Sequence, residues 1–140
     1  MEWYRKDDGE VVFGEIGARP PGARLVDVMN YCADDDLFQT WADAVVTGSA
    51  EQPAHEFNAV SLFTRAEGEG RISRVDGLEE VRERYVEHLC HVDLLEVGEP
   101  RRDWKATLIS DGIVFVRHRD LDELVRITDD IARTLRLYAE

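Results

Sequence analysis

The first fifteen residues carry a β-hairpin signal that constrains the fold more tightly than any other part of the sequence. Two β-prone runs flank Asp8-Gly9, the pair that best tolerates positive φ in a tight turn. A two-residue turn at this pair, or a four-residue loop around it, places Glu2 opposite Glu15. A three-residue loop would instead place Glu2 opposite Gly14.

The predicted pairing of two glutamates has chemical consequences. Like charges directly opposite on paired strands are destabilising, so this pair favours a shared proton or a bridging cation. Carboxylate oxygens are the ligands that magnesium prefers, and one or two of them suffice when water and phosphate complete its shell. Arg19 follows Glu15 in a Gly/Pro loop and adds a donor suited to phosphate or carboxylate. The alternative interpretation is that Glu2 is simply a solvated chain end.

Hydrophobic periodicity predicts several further strands. After the first hairpin, the predicted strands are 57–65, 71–75, 92–97, 104–109 and 113–116. The segment Glu67-Gly68-Glu69-Gly70 is interpreted as a hairpin turn between the first two of these. Ser110-Asp111-Gly112 is interpreted as the turn of a second hairpin.

Four helices are predicted between and after these strands. The first contains Leu25 to Cys32, and the second begins after a capping Asp34 and buries Phe38, Trp41 and Val45. D-x-x-E capping patterns open the other two helices. These patterns are Asp76 with Glu79 and Asp120 with Glu123, and the apolar spacing of the last helix reaches Tyr138. The order predicts an α+β fold with hairpins, an antiparallel or mixed sheet and about four helices.

Composition excludes several classes of partner. The net charge of −13 argues against nucleic acid and anionic membranes, which are both polyanionic. The sequence contains neither an apolar run of about 20 residues nor a signal-peptide pattern. Cys32 and Cys90 lack CxxC spacing and are interpreted as buried free thiols. We therefore expect a cytoplasmic protein.

The first twenty residues also resemble a family motif. The residues concerned are Glu2-Trp3, Asp8-Gly9 and Val12-Phe13-Gly14-Glu15-Ile16-Gly17-Ala18-Arg19-Pro20. They resemble the late motif of ATP-grasp enzymes, ligases that form an acyl phosphate from a carboxylate and ATP and pass the acyl group to a nucleophile. In that motif a strand carries one acidic residue, and the return strand of a hairpin ends in E-x-N-x-R. The string is most similar to the purine-biosynthesis and carboxylate–amine branches, although Gly17 replaces the usual asparagine.

The resemblance implies roles for three residues. Glu2 would be the first metal carboxylate, Glu15 the metal-bridging carboxylate that also binds the cofactor, and Arg19 the arginine that contacts phosphate or substrate. The implied cofactors are Mg²⁺ and ATP. Residues 1–50 would then be the end of the ATP-grasp catalytic subdomain, and 51–140 a small α+β C-terminal subdomain.

Other parts of such a ligase have no counterpart in the sequence. A glycine-rich phosphate loop is not recognisable, and the lysines number only two, Lys6 and Lys105. We therefore expect a C-terminal fragment or split subunit that does not turn over alone and needs a partner chain for the ATP-gripping half. The alternative is a catalytically inactive interaction module that dimerises or docks through its truncated face.

Overall fold

The computed structural model describes residues 2–17, 19–103, 105–107 and 110–140. Within these ranges the chain forms four α-helices and eight β-strands, which confirms the predicted α+β class. The helices are α1 (Leu25–Ala33), α2 (Leu37–Thr47), α3 (Leu78–Arg84) and α4 (Leu121–Thr134). The strands are β1 (Glu2–Arg5), β2 (Val11–Glu15), β3 (Asn58–Thr64), β4 (Glu67–Gly68), β5 (Ile72–Asp76), β6 (Leu89–Leu94), β7 (Gly112–His118) and β8 (Arg136–Ala139).

The hydrophobic core lies between an antiparallel sheet and α4. The sheet has the order β3-β7-β6, so its most buried strand lies in the middle. Val114 and Val116 alternate along β7 and belong to one buried cluster with Ile127 and Ile131 of α4. Ile127 and Ile131 are four residues apart and share one face of α4, so a single apolar stripe of this helix covers that side of the sheet.

The opposite face of the same sheet is covered by α1. Phe115 is fully buried there, with its ring centroid 5.4 Å from that of Tyr31 and 6.0 Å from that of His91. The Arg24 guanidinium carbon lies 4.7 Å from the centroid of the same ring. These contacts fix α1, and with it the loop that follows β2, to the rest of the molecule.

The sequence predicts that 57–65 and 71–75 form a hairpin, but in the structure they belong to two different sheets. The second sheet has the order β4-β8-β5, with β4 parallel and β5 antiparallel to β8, whereas β3 pairs with β7 instead. Glu67–Gly68 is thus a short strand and not part of a tight turn. The predicted hairpin is wrong because β8, about 60 residues further along the chain, pairs with β5 instead.

The predicted end of the last helix is also wrong. Asp120 caps α4 as expected, accepting a hydrogen bond from the Glu123 amide at 2.9 Å. The helix nevertheless ends at Thr134, and the chain continues as β8. Leu137 and Ala139 are buried there with the two-residue period of a strand.

The capping pattern at Asp76 is not used either. Asp76 ends β5, and its carboxylate pairs with the Arg74 guanidinium at 3.0 Å. Gly77 precedes α3 with φ +76°, and a Cβ atom there would lie 2.2 Å from the carbonyl oxygen of Thr134. Close approach of two backbones therefore selects glycine at this helix start.

The predicted strand 104–109 falls partly outside the described residues, since it includes Trp104, Leu108 and Ile109. Where the segment is described it turns, because the amides of Ala106 and Thr107 both donate to the carbonyl of Asp103. Ser110 and Asp111 are buried and do not form an exposed hairpin turn. The Cys32 and Cys90 thiols are free and half-buried. In the described part of the chain, no helix has the length and apolar character required to cross a bilayer.

Helix α2 offers a direct test of its cap. Asp36, and not the predicted Asp34, accepts hydrogen bonds from the amides of Phe38 and Gln39 at 3.0 and 3.3 Å. We expect Asp36→Ala to destabilise α2 by about 1 kcal/mol. Hydrogen exchange of the α2 amides measures this, with Asp43→Ala as the control on the same helix. Equal protection in the two variants would contradict the assignment of the cap.

Candidate active site

The turn between β1 and β2 has three residues, Asp7, Asp8 and Gly9. The Lys6 amide donates to the Glu10 carbonyl and the Gly9 amide to the Lys6 carbonyl, both at 2.9 Å, and Gly9 has φ +87°. Asp8 accepts a further hydrogen bond from the Glu10 amide at 2.9 Å. The hairpin prediction is confirmed, and its turn is the three-residue loop that the sequence left open as the alternative to a two-residue or four-residue loop.

A β-bulge compensates for this shift at the other end of the hairpin. Trp3 pairs with Phe13, as a three-residue loop requires, but Glu2 pairs with Glu15 because the register shifts between Glu2 and Trp3. One extra residue of β2, Gly14, is accommodated at this irregularity. The two glutamates are therefore Cα partners, as the sequence predicted, through a different combination of turn and bulge.

The pair of glutamates meets part of what a magnesium site requires from a protein. Both side chains are exposed and contribute hard carboxylate oxygens from neighbouring strands. No cluster of three or more His, Cys, Asp or Glu suited to a metal occurs among the described residues. Magnesium commonly takes only one or two protein carboxylates and completes its shell with water and substrate phosphate. The hairpin can therefore supply part of a magnesium site and leaves the remaining positions to other ligands.

The hairpin itself is poorly covered. All nine of its strand residues are exposed, including Trp3 at 55% and Phe13 at 50%, whose rings meet edge to face at 5.3 Å. An isolated two-stranded hairpin is at best marginally stable in water. Both faces of this one are thus free to pack against another polypeptide surface.

Arg19 lies in the loop that leads from β2 to α1, one residue after Ala18, which is outside the described residues. Its Nη1 donates to the Pro20 carbonyl at 3.2 Å, and its side chain lines a pocket formed with α1 and α2. Among the described residues, no ion pair joins Arg19 to Glu2 or Glu15. The structure therefore makes Glu2 and Glu15 backbone neighbours across the hairpin and places Arg19 at a separate pocket on the same segment.

The sequence predicts that the apolar face of α2 is buried, and this prediction is wrong. No residue of α2 is fully buried, and Phe38 and Trp41 are about half exposed at the edge of the pocket beside Arg19. Their i,i+3 spacing predicts a shared helix face but does not indicate what covers that face. Two consecutive left-handed residues, Ala23 and Arg24, also precede α1 without a signal in the sequence.

The chain has the fold of a partial ATP-grasp domain, which is the fold of the enzymes that the hairpin motif resembles. It is similar to the crystal structure of an L-amino acid ligase from Bacillus licheniformis, with a TM-score of 0.75 and 18% identity. It is also similar to the crystal structure of N5-carboxyaminoimidazole ribonucleotide synthetase from Thermotoga maritima, with a TM-score of 0.68 and 19% identity.

Each of these alignments covers 99% of this chain and 36% of the other chain. The chain therefore spans about a third of the length of the enzymes it matches. No family model matches the sequence, and no curated protein matches it. At such low identity the likeness concerns the fold alone.

Proposed function

We propose that this chain contributes the acidic hairpin of an ATP- and Mg²⁺-dependent ligase site, as the C-terminal fragment or split subunit of an ATP-grasp carboxylate ligase. Glu2 and Glu15 would hold the metal, and Arg19 would bind phosphate or substrate. The observation that carries this proposal is the pairing of Glu2 with Glu15 across the hairpin, within a fold shared with ATP-grasp enzymes. The division into 1–50 and 51–140 stays a prediction.

The proposed role of Glu2, Glu15 and Arg19 in the reaction is electrostatic. Magnesium bound to the hairpin would neutralise charge on the phosphate oxygens during formation of an acyl phosphate. Glu15 would orient the metal from the end of β2, and Arg19 would hold an anionic group by charge-assisted hydrogen bonds. Glu2, Glu15 and Arg19 are all exposed to water, which weakens every such interaction.

This openness supports the need for a second polypeptide part. The uncovered hairpin and the exposed α2 face would pack against the ATP-gripping portion, which a partner chain would supply. Closure of the site by that portion would exclude water and complete the coordination of the metal. We therefore expect the isolated chain to bind no Mg·ATP in a calorimetric titration. Clear ATP binding by the isolated chain would contradict the proposal that ATP binding needs a partner chain.

The metal role can be tested on the chain as it is. Mn²⁺ replaces Mg²⁺ at oxygen ligands and broadens NMR signals of nearby nuclei, so we expect saturable broadening centred on the Gly14 and Ile16 amides. Glu15→Gln should weaken this binding at least about tenfold, the loss that even outer-shell partners of a metal cause. Glu10→Gln, at the turn end of the same hairpin, is the matched control and should leave it unchanged. Broadening that remains at the hairpin in Glu15→Gln, or that centres elsewhere, would refute the metal site.

A second candidate function is favoured by the exposed apolar side chains themselves. The same surface suits a catalytically inactive module that dimerises or docks on another protein. The two functions differ in what Glu15 does. Glu15→Gln should abolish the activity of a completed ligase, whereas full activity of an assembly that contains this variant would support the interaction module.

A further inference from the structure

Strand β3 lies at the edge of its sheet, and in the described part of the chain it pairs with β7 alone. The Arg117 amide of β7 donates to the His88 carbonyl next to the start of β6, so the odd-numbered residues of β7 bond toward β6. Its even-numbered residues bond toward β3, where their partners are even-numbered too. The backbone amides and carbonyls of Ala59, Ser61 and Phe63 therefore point away from the sheet at its open edge.

This edge has none of the features that protect most exposed strands from pairing with another chain. The sequence of β3, N-A-V-S-L-F-T, contains no charged residue and no proline, and its register with β7 has no bulge. It is thus a strand without charge in a chain of net charge −13. The edge can accept an additional strand without bringing like charges together.

An apolar groove of about 360 Å³ runs beside the same edge, between the first half of β3 and α4. On the helix side it is lined by Leu121 and Val125, which are 58% and 52% exposed and lie about one helical turn apart. Asp129 also lines the groove, and its charge is partly offset by the Arg133 guanidinium 4.0 Å away. The open edge of β3 and the side of α4 that carries Leu121 and Val125 therefore form one continuous surface, the β3–α4 surface.

One arrangement of two copies uses every outward backbone group of β3. In antiparallel pairing centred on Ser61, each Ser61 lies opposite the same residue of the other copy and each Ala59 lies opposite Phe63. Every such pair exchanges two hydrogen bonds. Glu56 precedes β3 and Arg65 follows it, so antiparallel pairing places Arg65 of one copy beside Glu56 of the other, whereas parallel pairing would place like charges together. The edge is therefore complementary to itself in one orientation.

We infer that the β3–α4 surface binds a second copy of this chain, with β3 paired to β3 across a two-fold axis. The axis is perpendicular to the joined sheet, so both copies of α4 lie on the same face and their Leu121 and Val125 side chains cover each other. This dimer goes beyond the proposed function and does not depend on it. Neither β3 nor α4 contains Glu2, Glu15 or Arg19, so the hairpin stays free for a partner that supplies the ATP-gripping portion.

Sedimentation velocity of the full chain over a range of concentrations tests the dimer. We expect a monomer–dimer equilibrium with a dissociation constant of about 10 μM or lower. Ser61→Pro removes the amide donor at the centre of the interface, and an edge position whose amide faces solvent tolerates proline. This substitution should weaken the dimer at least about tenfold. Ser61→Ala is the matched control, because it keeps the amide and should leave the dissociation constant unchanged.

A second pair of variants tests the helix side of the surface. Val125→Lys places a charge where two apolar side chains would meet, so it should weaken the dimer at least about tenfold. Val86→Lys adds the same charge at a residue that is 70% exposed and does not line the groove, and it should have no such effect. Circular dichroism confirms that each variant is folded. If Ser61→Pro does not fold, Val125→Lys decides the question.

A cross-link tests the register. Opposite residues of a hydrogen-bonded antiparallel pair have Cα atoms about 5.5 Å apart, a distance that a disulfide spans. Oxidation of Ser61→Cys with diamide should therefore link two chains. Phe63→Cys is more exposed but should not link them, because its two copies would lie roughly 14 Å apart along the paired strands.

Three results would overturn the inference. The first is a chain that stays monomeric up to about 1 mM. The second is a dimer that Val125→Lys leaves intact, which would mean that the copies meet through another surface such as the hairpin. The third is cross-linking of Phe63→Cys as efficient as that of Ser61→Cys, which would exclude pairing centred on Ser61. None of these results bears on the metal site, which the Mn²⁺ experiment on Glu15 tests separately.

Discussion

Asp111→Asn is expected to lower the free energy of unfolding by about 3–5 kcal/mol, the cost of breaking a buried ion pair. Asp111 is 0% exposed. Its Oδ2 accepts from the Ala66 amide at 2.9 Å and from the Arg101 Nε at 3.2 Å, and its Oδ1 accepts from the Arg102 amide at 2.9 Å. An asparagine has one oxygen and one NH₂, so in either orientation a donor faces a donor.

Urea denaturation measures the loss, and Asp103→Asn is its matched control. Asp103 is an exposed acid in the same segment, so its substitution should change stability by no more than about 0.5 kcal/mol. Similar effects of the two substitutions would show that the hydrogen bonds of Asp111 contribute little.

Asp111 is also expected to make the free energy of unfolding depend on pH. Burial by itself would raise the pKa of Asp111, but hydrogen bonds from Ala66 and Arg102 and the Arg101 guanidinium together lower that pKa below its usual value. Its contribution to stability is therefore complete above about pH 4 and is lost as the pH falls through the pKa of the folded state. The stability difference between wild type and Asp111→Asn should shrink below about pH 4. A constant difference from pH 7 to pH 3 would contradict the lowered pKa.

The hairpin shows how far local sequence determines register. Asp8-Gly9 predicts a tight turn correctly, since glycine adopts the positive φ that two-residue and three-residue loops both require. The choice between these loops depends on the Lys6–Glu10 pairing and on the bulge at Gly14, and neither has a distinct sequence signal. Glu2 still pairs with Glu15 because the three-residue turn shifts the register by one position and the bulge at Gly14 shifts it back.

The C-terminal half shows where local pattern fails. Ile131, Leu135 and Tyr138 satisfy a helical period, while Leu135, Leu137 and Ala139 satisfy a strand period. The strand is formed because β8 pairs with both β4 and β5, which are distant in sequence. The same non-local pairing removes the predicted hairpin at Glu67–Gly68. Periodicity within a segment carries no information about such partners.

The candidate site was predictable to the extent that its residues lie on one segment. Glu2, Glu15 and Arg19 follow from the hairpin and the family motif, whereas the apolar pocket beside Arg19 does not. An apolar stripe on α2 predicts burial, and the structure leaves Phe38 and Trp41 half exposed. What remains uncovered on a helix depends on the packing of the other elements, so it requires the tertiary structure.

Phe115→Ala, like Asp111→Asn, is expected to lower the free energy of unfolding by about 3–5 kcal/mol. The ring is 0% exposed and contacts Tyr31 and Arg24 on the side of α1. Its removal leaves a cavity between α1 and the sheet, on the face opposite the main core. We expect this substitution to release α1, and with it the loop that carries Arg19, before the rest of the molecule unfolds.

Hydrogen exchange distinguishes this local release from general destabilisation. In Phe115→Ala, the α1 amides should lose more protection than the loss of global stability explains. Val114→Ala is the matched control, because this neighbouring residue is equally buried but faces α4. Its loss of protection should be spread evenly over the sheet and α4. If both variants lowered protection of α1 to the same extent, Phe115 would not be the contact that fixes the candidate site to the fold.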